Sequence, residues 1–182
     1  MSGAAAALPG IRRAAGALGL TLIAIDGASG VGKSTFATAL GRTWPGHLPE
    51  LVRLDAVYPG WHGLTAGADL VGRRLVRRLA NGRVGEVATW DWAADRPGGV
   101  ERVRPGRLVI VEGCGAFAAV EGVPSLRIWL EASDAERRRA ALERDAGAFD
   151  PFWEMWETQW RRYVARADPR RTAHVVLRRV GR

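Results

Sequence analysis

The 182-residue chain has one cysteine, Cys114, and one lysine, Lys33. A lone cysteine excludes an internal disulfide framework and suits a reducing compartment, so a cytoplasmic location is expected. Long apolar runs are missing as well. Ala4 to Ala7 and Leu18 to Ile25 are apolar, but Arg12 and Arg13 lie between them, which leaves no run of about 18 residues for a membrane span. A secretory leader would carry its positive charge ahead of the apolar stretch, so no targeting segment is expected. Acid is the minority charge: 19 Asp and Glu face 27 Lys and Arg, for a net charge of +8.

Such a balance admits nucleic-acid binding. A plainer account is available, because the basic residues are almost all arginine. Arg73, Arg74, Arg77 and Arg78 fall on one face of an expected helix, with Val71, Leu75 and Leu79 mostly opposite, the pattern of a solvated face.

What is present is an alternation of apolar runs with helical patterns, the mark of an α/β fold with a mainly parallel sheet. Strands are expected at Thr21–Ile25, Leu51–Leu54, Leu108–Val111, Leu126–Leu130 and His174–Leu177, with a shorter one at Val87–Trp90. Helices are expected at Leu8–Leu18, Lys33–Arg42, Ala66–Ala80, Ser133–Asp145 and Pro151–Ala167. Asn81-Gly82 stops the third of these, and Ser133 with Glu136 forms a capping box for the fourth. The segment Arg96–Gly106, with two prolines and three glycines, reads as a loop. The expected architecture is one domain spanning 1–182: a three-layer, doubly wound, five-stranded sheet with a short helical lid near 137–152.

Residues Gly27, Ala28, Ser29, Gly30, Val31, Gly32, Lys33 and Ser34 match the spacing G-x-x-x-x-G-K-[ST], with a strand before and a helix after. Glycines allow such a loop to turn its N–H groups inward, and the helix N-terminus adds positive potential. Lys33 is expected to reach the β- and γ-phosphates of ATP, and Ser34 to hold Mg²⁺. The only lysine of an arginine-rich chain stands where a compact ammonium fits between phosphates and a planar guanidinium does not.

Two strand ends carry further acids. Glu112 closes Leu108–Val111 and is expected near Ser34, holding the metal; Gly113 and Gly115 would let a ligand approach the backbone. Asp55 follows the second strand, and ligands in open α/β sheets sit beyond the carboxyl ends of the strands. A phosphoryl acceptor hydroxyl needs a carboxylate to orient it and take its proton, which makes Asp55 the candidate base. Asp26 directly precedes the loop and is expected to brace it. Trp90-Asp91-Trp92 could stack on a flat ring while the acid bonds a hydroxyl, and Trp61 could serve pocket or core. Trp153, Trp156 and Trp160 at helical spacing read as packing. On the lid helix, Asp134 is expected to pair with Arg138, and Arg139 with Glu143. Arg137 and Arg144, seven apart on one face, would remain for ATP phosphates.

From Ile23 to Thr35 the chain resembles the opening of uridine kinase-like P-loop kinases. Asp55 and Tyr58 resemble the first and last positions of that family's D-x-F-Y segment, whose acid activates the nucleoside hydroxyl. Trp90-Asp91-Trp92 resembles its Y-D-F segment, which contacts sugar and base. Glu112-Gly113 resembles its E-G strand end, and Arg144-Asp145 its lid R-D. The likeness covers about 150 residues, from Leu22 to Leu177. It implies an ATP- and Mg²⁺-dependent kinase whose partner is a small molecule with a hydroxyl, a nucleoside or nucleoside-like compound. Two departures stand out. Ala146-Gly147-Ala148-Phe149 replaces the family's lid R-G-R, and Asp95 or Arg96 stands where a base-reading His would be. The readings left open are a kinase for another small alcohol, such as a sugar, vitamin precursor or antibiotic-like compound, and a non-catalytic nucleotide-binding or nucleic-acid-associated protein.

Overall fold

The computed structural model describes residues 2–145 and 147–178. Residue 146, inside the expected lid, and residues 1 and 179–182, inside the expected single domain, lie outside the described residues. A helix α1 (Ser2–Ala17) leads into β1 (Leu22–Asp26), whose five residues are all buried. A strand covered on both faces needs such an unbroken apolar run rather than an alternating one. The glycine-rich loop 27–32 follows, then α2 (Lys33–Arg42) and β2 (Glu50–Arg53). Next come α3 (Leu64–Val71), a π-helical turn (Gly72–Val76) and α4 (Arg77–Ala80). The antiparallel hairpin β3 (Gly85–Asp91) and β4 (Arg96–Val103) comes before β5 (Val109–Glu112) and α5 (Ala116–Ala119). Finally β6 (Leu126–Glu131), α6 (Asp134–Arg144), α7 (Trp153–Ala167) and β7 (Val175–Arg178) complete the described chain.

The main sheet has the order β2-β5-β1-β6-β7, and each adjacent pair is parallel. From β1 the chain runs to one side, through β2 and β5, and then crosses to β6 and β7 on the other. The reversal puts a crevice at the carboxyl end of β1, the position where open α/β sheets hold ligands. Ile25 of β1 pairs with Glu112 of β5, and Glu112 in turn pairs with Arg53 of β2. The Asp26, Asp55 and Glu112 ends of three neighbouring strands are thereby gathered at one rim. Ile23, Ile25, Val52, Ile110 and Ile128 fill the middle of the core.

The five-stranded sheet matches the expectation from sequence, and so does the capping box of α6, where Ser133 and Glu136 bond reciprocally. The stripe Arg73, Arg74, Arg77 and Arg78 is solvent-exposed. One expectation about the elements was wrong. Arg96–Gly106 is not a loop: residues 96–103 form β4, paired with β3. In a two-stranded ribbon both strands are edges, so Pro97 removes no interior hydrogen bond.

Candidate active site

The loop 27–32 joins β1 to α2, and its last turn places the first amides of α2 at the loop mouth. Ala28 and Val31 are buried and pin the loop to the core. Asp26 holds it from below. Its Oδ1 accepts from the Gly27 and Gly115 amides at 2.7 and 3.0 Å. Its Oδ2 accepts from the Phe117 amide at 2.9 Å and the Tyr163 hydroxyl at 2.7 Å. One carboxylate therefore ties together the phosphate loop, the loop after β5 and helix α7. At Gly30, with φ of 82°, a Cβ would stand 1.8 Å from the Arg137 carbonyl oxygen, so only glycine lets the loop touch the backbone of α6.

Lys33 is buried, and its Nζ donates to the Ala28 carbonyl at 2.9 Å and lies 3.6 Å from Cys114 Sγ. Burial pulls its ammonium pKa down, but Cys114, Asp55, Glu112 and Asp26 together outweigh that, and the net direction is up. Glu112 is 2 % exposed. Burial pushes its carboxyl upward against the pull of Lys33, the Ser34 hydroxyl and Arg53. Its Oε1 makes no hydrogen bond and sits 3.7 Å from Arg53 Nε. An orphaned carboxylate oxygen beside the Ser34 hydroxyl fits a hard cation. Among the described residues no cluster of three or more His, Cys, Asp or Glu could hold an ion. A Mg²⁺ at Ser34 and Glu112 would take its other oxygens from phosphate and water, the usual habit of that ion.

Two cavities meet above this loop. The smaller, about 260 Å³, is lined by Ser29, Gly30, Gly32, Lys33, Ser34, Thr35, Asp55 and Arg144, among others. The larger, about 760 Å³, has aromatic walls of Tyr58, Trp61, Trp92, Phe149, Phe152 and Trp156. Ser29, Asp55 and Arg144 line both. A carboxylate and a cation thus stand at the seam between a phosphate-shaped cradle and a pocket large enough for a small molecule.

No protein-family model matches the chain, and no curated protein sequence matches it. Solved structures do. One, from Bacillus stearothermophilus and named as a possible uridine kinase, aligns with a TM-score of 0.57 at 16% identity, covering 86% of this chain and 87% of that one. Another, from Silicibacter sp. TM1040 and named as a candidate fructose transport system kinase, aligns at 0.48 with 22% identity over 85% of each. The chain has a P-loop kinase fold.

Within this fold the expected site residues divide. Ser29, Gly30, Gly32, Lys33, Ser34, Thr35, Asp55, Tyr58, Trp61, Trp92 and Arg144 line one or both cavities, whereas Gly27, Ala28, Val31 and Glu112 are in neither lining. Trp92 donates its indole N–H to the Asp55 carbonyl at 2.8 Å. Trp61 lies against Phe152 (ring centroids 4.4 Å apart), Trp92 (4.7 Å) and Phe149 (5.2 Å). Trp90, Asp91 and Arg96 are not in the pocket wall. Asp91 Oδ1 accepts from the Ala93 and Ala94 amides, closing the hairpin turn, and Arg96 pairs with Asp91 across the ribbon. Gly113 serves the protein rather than a ligand: a Cβ there would meet Leu54 at 2.5 Å and the Tyr58 hydroxyl at 2.9 Å.

Arg137 is the clearest correction. Its guanidinium makes a two-pronged pair with Glu157, at 2.8 and 2.7 Å, and Nε bonds Asp134 at 2.8 Å. Asp134, three residues earlier, goes to Arg137 and not to Arg138, which instead approaches Glu154 at 3.7 Å. Buried and fully engaged, Arg137 is a structural tie between α6 and α7. Arg144 does face both cavities, gripping Asp145 with Nε and Nη2 at 2.7 Å each.

The sequence reading missed Phe149 and Phe152 as wall residues and the pocket role of Trp156; Asp95, noted there as standing where the family has a base-reading His, does line the larger cavity. Phe149 and Phe152 are three residues apart around Pro151, a helical spacing that could have signalled one aromatic face.

Proposed function

We propose that this chain is a kinase that transfers the γ-phosphoryl group of ATP to a hydroxyl of a small molecule, a nucleoside-like compound or another small alcohol. The observation that carries the reading is the shared seam: Asp55 and Arg144 border both the phosphate cradle and the aromatic pocket. The cradle binds the phosphates through loop amides, the α2 N-terminus and Lys33. Ser34 and Glu112 would hold Mg²⁺, which would supply charge neutralisation to the phosphate oxygens. Asp55 takes the acceptor's hydroxyl proton as that oxygen bonds to the γ-phosphorus, and the bond to the β-phosphate oxygen breaks to release ADP. Arg144 steadies charge on the transferred group from the lid segment, about 137–152. The aromatic walls orient the acceptor's flat ring and keep water out, so that catalysis is mainly positioning and electrostatics. Among the described residues no helix is long and apolar enough to cross a membrane, and Cys114 is free and buried; both suit a cytoplasmic enzyme.

The test is ADP release with ATP and Mg²⁺ across a panel of nucleosides and small alcohols, wild type beside Asp55→Asn. Stimulation by one acceptor, lost in the variant while ATP still binds, is the expected result. Acceptor-independent binding of ATP alone, unchanged by Asp55→Asn, would sink the kinase reading.

A further inference from the structure

The larger cavity has an uneven charge inventory. Its ionisable lining consists of Asp55, Asp95, Asp145 and Arg144, besides the Tyr58 phenol. Arg144 and Asp145 neutralise each other through two short hydrogen bonds. Tyr58 gives its hydroxyl proton to the Cys114 carbonyl at 2.8 Å, and Trp92 gives its indole proton to the Asp55 carbonyl. Asp55 borders the phosphate cradle and lies in the field of Lys33. Asp95 and the side chain of Asp55 have no hydrogen bond or ion pair to any described residue, and of the two only Asp95 lies away from the smaller cavity at the glycine-rich loop. It stands in the hairpin turn between β3 and β4 with φ of 48°, at the rim of walls formed by six aromatic side chains. A Cβ on Gly60 would meet Asp95 Oδ1 at 3.6 Å and the Trp90 ring at 3.8 Å, so the rim beside this carboxylate is bare backbone and aromatic edge.

Aromatic faces with an uncompensated carboxylate attract organic cations by ring quadrupole and charge together. A neutral base would be read by paired donors and acceptors, and the wall has already committed the Tyr58 hydroxyl and the Trp92 indole to protein groups. We infer that the acceptor is a cationic alcohol: its protonated amine meets Asp95 at the rim, its flat or apolar body lies along Trp61, Trp92 and Phe149, and its hydroxyl reaches Asp55. This rests on the kinase reading for the role of the hydroxyl, but the cation preference of the pocket can be measured apart from phosphoryl transfer.

The experiment uses the quenching of intrinsic tryptophan fluorescence, since Trp61, Trp92 and Trp156 line the pocket. Two matched pairs serve as probes: phenylethanolamine against phenylethylene glycol, and choline against dimethylbutanol. Wild type is compared with Asp95→Asn, a substitution that the left-handed turn accepts because Asn adopts positive φ readily. Wild type should bind each cation about five- to tenfold more tightly than its neutral partner, and Asp95→Asn should erase most of that gap. Equal affinities in wild type, no measurable binding of either cation, or a preference untouched by Asp95→Asn would overturn the inference. ADP release is followed with the same probes. Cation preference without acceptor-stimulated release would sink the kinase reading alone, and release stimulated equally by neutral and cationic alcohols would sink the cation inference alone.

Discussion

The Trp92 indole and the Asp55 carbonyl are joined by a 2.8 Å hydrogen bond across 37 residues of chain. The bond ties the hairpin turn to the short 3₁₀ segment Leu54–Ala56. The residue proposed as base is thereby positioned by the same side chain that walls the acceptor pocket. Trp92→Phe keeps a ring and removes the donor. The expected outcome is a roughly tenfold fall in kcat/KM for the acceptor, since small displacements of reacting groups are costly. Nucleotide affinity, measured by calorimetry, should hold.

Arg137 offers a test of structure against catalysis. Replacing it with Ala strands the carboxylate of Glu157, which keeps only Arg161 at 2.9 Å. The expected loss is about 3 kcal/mol, a fall in Tm of about 10 °C. The double variant Arg137→Met, Glu157→Leu should recover much of that loss, because a packed apolar pair leaves no buried charge. Activity, normalised to folded protein, should survive in the double variant.

Acid should weaken the same tie. Burial alone would raise the Glu157 carboxyl, but Arg137 and Arg161 outweigh it and the pKa falls below its ordinary value of 4.5. A lowered carboxyl contributes stability that is complete above the unfolded value and disappears as pH falls through the folded one. The Tm gap between wild type and Glu157→Gln should therefore be full near neutral pH and should close progressively below about pH 4.5.

Gly30→Ala tests the seam between the loop and α6. The added Cβ would stand 1.8 Å from the Arg137 carbonyl, in a backbone conformation at φ of 82°. Strain of at least about 2 kcal/mol is expected, read as a lower Tm together with loss of ATP binding. A variant with normal ATP affinity would mean that the loop moves freely past α6.

The glycine-rich loop was legible in the residues because its geometry is local. Eight consecutive positions, a strand before and a helix after are enough to place the strand, the tight turn and the helix start. Asp55 was also readable, as the acid just beyond a strand end. The larger cavity was legible only in part: Tyr58, Trp61 and Trp92 could be named, but the wall also draws on Asp95 in the hairpin turn and on the 144–156 segment. No periodicity links those pieces. The hairpin itself was hidden by Pro97, Gly98 and Gly99, residues that a central strand rejects and an isolated ribbon tolerates. Arg137 was misjudged because its main partner, Glu157, lies twenty residues away on another helix. Charge bookkeeping along one helix does not see across to its neighbour.

The solitary lysine has a practical consequence. The chain has a single side-chain amine, which is buried and hydrogen-bonded at the floor of the phosphate cradle. An acylating reagent therefore finds only that group and the chain terminus, with no crowd of surface amines to dilute the signal. Access to the cradle becomes something a mass spectrometer can count: one added mass beyond that on the terminus when the site is open to the reagent, and none beyond it if a bound ligand covers Lys33.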